Sequence, residues 1–205
     1  MGAQPTVIEW SVAARAIPGE SVSGDDHVVE RTARGAIVAV IDGLGHGFHA
    51  AVAARKARES IGRWTEEPLR QQVARCHEAL ASTRGVVLGI ASFDAVAGSL
   101  EWVGVGNVEG ALVRRTPPNE SMVSRAGVVG LRLPTLHVTT HTIAPGDTLA
   151  MATDGVRADF GAAVSSIATT EALARGILAE YGRGTDDALV LVARYLGAGH
   201  ADRRE

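Results

Sequence analysis

Two short apolar runs end in Asp-Gly: residues 36–41 lead into Asp42-Gly43, and residues 148–153 lead into Asp154-Gly155. Two further acidic pairs stand where strands are expected to begin, Asp25-Asp26 before the first run and Asp186-Asp187 before the apolar stretch 188–193. Carboxylates gather only where something positive offsets their repulsion, and hard divalent cations such as Mg²⁺ and Mn²⁺ take all-oxygen ligands. Widely separated aspartates at strand boundaries therefore read as one carboxylate metal site. Asp-Gly is also a common turn signal that favours type I′ hairpins between strands. The first instance is not followed by a strand: after Leu44-Gly45-His46-Gly47, apolar residues at Ala50, Ala54, Ala57, Ile61 and Trp64 keep to one face of a helix.

The periodicities give the elements that must hold these residues. Residues 6–15 read as an edge strand, the Pro18-Gly19 turn leads to a second strand at 26–31, and 36–41 is a buried strand. Pro68 breaks the chain after the first helix, and Leu69, Val73, Cys76 and Leu80 mark a second helical stripe that buries Cys76. From Gly85 onward the runs 86–93, 99–105 and 110–114 form a meander. Pro117-Pro118-Asn119 opens a loop-rich stretch, 115–136, expected to be a substrate-facing flap. The strands 137–143 and 147–153 are expected to form a hairpin through Ala144-Pro145-Gly146. Leu173, Ile177, Leu178 and Tyr181 mark a late helix, 188–195 a last strand, and 197–205 a frayed tail. Strands segregated from helices imply an α+β architecture, two stacked antiparallel sheets with helices outside, in a single domain over 1–196.

Composition narrows the function. A chain of 205 residues with 46% hydrophobic content supports one well-packed core. Its net charge of −3, with no basic run, disfavours nucleic acid as a partner. Cys76 is the sole cysteine, so neither an intramolecular disulfide nor a cysteine metal cluster can form. No apolar stretch reaches membrane-spanning length and no export signal opens the chain, so the expectation is a cytoplasmic monomer without a membrane partner.

Several short motifs follow one another along the chain: Ser23-Gly24-Asp25, Val40-Ile41-Asp42-Gly43-Leu44-Gly45-His46-Gly47, Thr83-Arg84-Gly85, Gly104-Val105-Gly106-Asn107, Pro145-Gly146-Asp147 with Thr153-Asp154-Gly155-Val156, and Gly184-Thr185-Asp186-Asp187. On these the chain, from about Ser11 to Tyr195, resembles the PPM-type metal-dependent serine/threonine protein phosphatases. It is most similar to the bacterial SpoIIE-like branch and, within it, to small stand-alone members of stress-signalling modules. The resemblance implies an αββα sandwich with two Mn²⁺ or Mg²⁺ ions at one end of the sheets. Asp42 would bridge both ions and the Gly43 carbonyl would bind one; Asp25 would ligate on one side, Asp154 and Asp186 on the other. Turnover would depend most on Asp42 and Asp154. It also implies hydrolysis of phosphoserine or phosphothreonine by a metal-activated water, with a STAS-domain protein of a partner-switching pathway as substrate. Asp26 and Asp187 adjoin the proposed ligands, and either could exchange roles with its neighbour, since a one-residue register is not fixed by sequence.

The chain departs from the family pattern at two places. No arginine occurs in Glu20-Ser21-Val22-Ser23, where many members place one for the phosphate, and Leu44 stands where some carry a histidine. Arg84 is a candidate for the phosphate, against a role at a helix C-terminus. His46 is a candidate general acid, against a solvated turn residue. The pairs His46/His49 and His137/His141 lack a third metal ligand, and Asp94, Asp147 and Asp159 read as turn or capping residues. Two other functions compete: a non-catalytic binding protein on the same scaffold, and a nucleotide-binding module, whose glycine loop would here be GxGxG and not GxGxxG.

Overall fold

The strand at Gly35–Gly43 is apolar at every position from Ala36 to Ile41, so both of its faces need cover. Ala36, Val38 and Val40 pack into a core between two sheets, while Ile37, Ala39 and Ile41 pack against helices. That division organises the whole chain. The computed structural model describes residues 6–164 and 168–198. The elements in order are β1 (Ile8–Arg15), β2 (Asp25–Arg31), β3 (Gly35–Gly43), α1 (Gly47–Arg63), α2 (Leu69–Ala79), β4 (Val86–Asp94), β5 (Ser99–Val105), β6 (Glu109–Val113), β7 (Glu120–Met122), β8 (Ser124–Arg125), β9 (Thr139–Thr142), β10 (Thr148–Ala152), a 3-10 turn (Ala158–Ala163), α3 (Thr170–Tyr181) and β11 (Ala188–Tyr195).

One sheet has the order β1-β11-β10-β6-β7 and the other β2-β3-β4-β5-β8, with β9 antiparallel to β5. Phe93, Trp102, Leu149, Met151, Leu191 and Tyr195 fill the space between them. Outside the second sheet, α1 and α2 contribute Ala53, Ala57, Ile61, Val73 and Cys76; outside the first, α3 contributes Leu173, Ala174 and Ile177. The result is the αββα sandwich expected from the sequence. The antiparallel pairing of β3 with β4 excludes the βαβ unit that a dinucleotide loop requires. No helix among the described residues is long and apolar enough to cross a membrane.

Two expectations are corrected. The strands on either side of Ala144-Pro145-Gly146 do not form a hairpin: β9 joins β5 in one sheet, and β10 lies between β6 and β11 in the other. The turn itself forms, with Asp147 N donating to the Ala144 carbonyl at 3.0 Å. Gly146 has a φ of +99°, which places the positive φ at the third turn position after Pro145, a type II arrangement that splays its flanking strands. Buried Asp147 anchors that crossing, accepting from Arg115 N (2.9 Å), Ala144 N (3.1 Å) and Arg114 (3.0 Å). Arg114 also pairs with Glu120, which His141 meets at 2.6 Å, so the turn, β6, β7 and β9 are tied together.

The stretch 115–136 is also less free than a flap. It contributes β7 and β8, bridges Val129 to Val86, and buries Met122, Val129 and Leu136. Trp102 Nε1 donates to the Val123 carbonyl at 3.0 Å, which fastens the middle of the segment to the core. Residues 115–119 remain exposed, and two large apolar side chains project from the rest, Val123 and Leu131 at 59% and 58% exposed. His137 precedes β9 and does not share its strand with His141. Of the tail at 197–205, only 197 and 198 lie among the described residues.

Candidate metal centre

The register of β2 on β3 sets Asp25 directly opposite Asp42 and Asp26 opposite Ile41. Strand alternation then separates the two neighbours. Asp25 faces the other sheet, where Thr153 Oγ1 donates to its Oδ2 at 2.7 Å. Asp26 faces α1, where Arg58 Nε stands 3.4 Å away, and its other oxygen accepts from His27 N at 2.8 Å. Asp25, and not Asp26, therefore looks into the end of the sandwich.

The opposite sheet supplies the remaining acids from the end of β10 and the start of β11. Thr153 is fully buried; its hydroxyl donates to Asp25 and accepts from Leu189 N at 2.9 Å, linking both sheets through one oxygen. Asp187 is 3% exposed and uses both oxygens on backbone, accepting from Ile17 N (2.8 Å) and Gly24 N (2.7 Å). It fastens the loop that delivers Asp25. Asp186 is partly exposed and accepts from Asp187 N at 2.9 Å. Gly43 N donates to the Gly24 carbonyl at 3.0 Å, and a Cβ on Gly43 would lie 2.2 Å from the Ala50 carbonyl oxygen. Only glycine permits α1 to start so close to the strand end.

Burial raises the Asp42 pKa to about 8, and Asp25, Asp154, Asp186 and Asp187 add to the rise. Asp25 is raised to about 7, again by burial first; the Thr153 hydroxyl opposes the rise and Asp187, Asp154 and Asp186 reinforce it. Asp154 is raised by burial and by Asp186, against the pull of an Asn107 hydrogen bond and of Arg183. These aspartates thus share one electrostatic field that favours added positive charge. Among the described residues no three His, Cys, Asp or Glu side chains close into a ready-made cage. An all-oxygen set of this kind fits Mg²⁺ or Mn²⁺, and Mg²⁺ keeps several waters while using few carboxylates.

Asn107, at the end of the Gly104-Val105-Gly106-Asn107 motif, has a role that no local sequence signal shows. Its Nδ2 donates to Asp154 Oδ2 at 2.6 Å from the turn after β5, which fixes that carboxylate across 47 residues of chain. Arg183 also belongs to this end of the sheet: its backbone N donates to the Gly155 carbonyl at 2.8 Å. His46 is mostly exposed at the N-terminus of α1, with Nδ1 2.8 Å from Glu20 Oε1, and the His49 ring meets Phe48 edge-on at 5.6 Å. The two histidines do not act as a pair.

A double sheet of this topology with aspartates at one end defines the PP2C, or PPM-type, phosphatase fold. RsbX in complex with magnesium superposes with a TM-score of 0.85 at 20% identity, over 94% of this chain and 98% of that one. The catalytic domain of serine threonine protein phosphatase PstP, in complex with 2 manganese ions, gives 0.75 at 18% identity over 93% and 99%. A structure from work on the bacterial stressosome, described as a modular system adapted to control secondary messenger signalling, gives 0.84 at 30% identity over 91% and 99%. Comparison with curated proteins yields no match. Residues 32–196 match the family Stage II sporulation protein E (SpoIIE), and the chain belongs to that family, in the branch of PPM-type phosphatases that includes RsbX.

Proposed function

We propose that this chain is a metal-dependent protein phosphatase that hydrolyses phosphoserine or phosphothreonine, with two Mn²⁺ or Mg²⁺ ions held by Asp25, Asp42, the Gly43 carbonyl, Asp154 and Asp186. The observation that carries this reading is the pair Asp25 and Asp42, opposed across two strands and held near pKa 7 and 8 by burial and by other aspartates, within a PP2C-type fold. Two ions held there would supply charge to offset the phosphate dianion and would lower the pKa of an attacking water. The chain's own residues prepare that site. Thr153 orients Asp25, Asn107 orients Asp154, and Asp187 holds the 17–24 loop closed over the sheet end. Protons must leave Asp25 and Asp42 as cations enter. Cys76 offers no alternative nucleophile, because it is buried against the helices with its thiol pushed up to about 12.

The substrate we assign is a STAS-domain regulator of a cytoplasmic partner-switching pathway, with the enzyme acting as a monomer; the structural likeness to RsbX and to the stressosome structure supports this. Hydrolysis of p-nitrophenyl phosphate with and without Mn²⁺ tests the chemistry. Turnover that requires Mn²⁺ and is abolished by chelator is expected. Undiminished turnover after confirmed metal removal would sink the mechanism, and metal binding with no hydrolysis would make the chain a non-catalytic binding protein.

A further inference from the structure

The aspartates account for cations but leave the substrate phosphate without a protein partner. One guanidinium lies at the loop that carries Asp42. Arg84 immediately precedes Gly85, whose carbonyl accepts from Leu44 N at 3.1 Å, and Val86 pairs with Gly43 in the sheet. Backbone bonds therefore pin the 84–86 turn against the 42–45 loop. Gly45 has a φ of +86°, and the position a Cβ would take there lies 3.1 Å from an Arg84 terminal nitrogen. The guanidinium covers the bare face of Gly45, three residues from Asp42.

A role at a helix end fails for Arg84. α2 stops at Ala79 with Leu80 as its cap, and dipole effects fade within the last turn. The side chain is exposed, and among the described residues it has no hydrogen-bond or ion-pair partner. Two other arginines are paired: Arg58 with Asp26, and Arg157 with the Tyr181 ring and Asp159. Arg183 acts on Asp154. A planar fork of N–H donors suits the oxygens of a phosphate monoester dianion, which it can grip with two parallel hydrogen bonds.

We propose that Arg84 binds the phosphoryl oxygens of the substrate from the Gly45 side of the loop, an assignment that rests on the phosphatase reading of the aspartate centre. It takes the part of the arginine missing from Glu20-Ser21-Val22-Ser23, from a different element.

The test titrates the Mn²⁺-loaded full chain with inorganic phosphate by calorimetry, for the wild type, Arg84→Gln and Arg84→Lys, alongside Mn²⁺ titration and p-nitrophenyl phosphate kinetics. Charge-assisted hydrogen bonds predict a loss of phosphate affinity of roughly ten- to hundredfold in Arg84→Gln, a comparable rise in KM, and partial recovery in Arg84→Lys. Mn²⁺ affinity and Tm should not move. Phosphate affinity indifferent to Arg84 in a protein that hydrolyses the ester overturns the assignment alone. Loss of Mn²⁺ binding in Arg84→Gln overturns it too, because the residue would then act by shaping the loop. Arg84-dependent phosphate binding without hydrolysis supports the assignment and contradicts the phosphatase reading; neither binding nor hydrolysis contradicts both.

Discussion

Asp25 and Asp42 are paired on adjacent strands, where like charges repel, and the surrounding protein raises both well above an ordinary carboxylate. In the metal-free protein the unfolded chain, with aspartate pKa near 3.9, loses these protons before the folded chain does. Their contribution to stability therefore falls as pH rises from about 4 through the folded values of about 7 and 8, and levels off above them. Thermal melts in chelator should show Tm declining over that window. Asp42→Asn should flatten the decline and raise Tm at pH 8, yet lower Mn²⁺-supported turnover at least about a hundredfold, because a ligand charge is lost at nearly constant volume. A pH profile untouched by the substitution would remove Asp42 from the shared field. Thr153→Val should cost about 1–3 kcal/mol in urea unfolding, since it leaves buried Leu189 N without its acceptor and Asp25 without its donor.

Strand alternation assigns the first acidic pair, whereas in the second it is hydrogen bonding that does so, since both Asp187 oxygens are taken by Ile17 N and Gly24 N. β11 turns Leu189, Leu191, Ala193 and Tyr195 into the core between the sheets, and Asp187 shares that face. Asp187→Ala should destabilise the protein by roughly 2 kcal/mol or more, through two orphaned backbone donors in the 17–24 loop. Asp186→Asn should instead weaken Mn²⁺ binding with little change in stability; urea melts beside calorimetry separate the two. The reverse pattern would exchange their roles. The start of α2 after Pro68 and the strands β5 and β11 were legible because proline and unbroken apolar runs are local signals. The choice between Asp25 and Asp26 was not, because one residue of register reverses every side chain. The false hairpin has a related cause: turn residues report the turn, whereas the partners of β9 and β10 lie in other parts of the chain. Asn107 escaped for the same reason, its role being a bond to distant Asp154.

At the scale of the molecule, the aspartate end of the sandwich has an exposed apolar side chain near it, Leu131. Leu131 lies beside Gly85, 3.3 Å from where a Cβ would stand there, and so borders the Arg84 turn. Within 115–136, Leu131 is the exposed apolar side chain next to the Arg84 turn, and so the one placed to meet a phosphoprotein there. Leu131→Asp should reduce turnover of a phosphorylated STAS-domain protein at least about tenfold while sparing p-nitrophenyl phosphate, as loops on a rigid scaffold commonly carry recognition. Equal losses on both substrates would make Leu131 a support of the site. The central claim, that aspartates from both sheets form one divalent-cation centre, is tested most directly by anomalous diffraction from crystals grown with Mn²⁺. Two anomalous peaks are expected, both beside Asp42, with Asp25 and the Gly43 carbonyl on one side and Asp154 and Asp186 on the other. Ordered Mn²⁺ held instead by Asp26 or Asp187, or no Mn²⁺ at Asp42 under saturating conditions, would contradict the account.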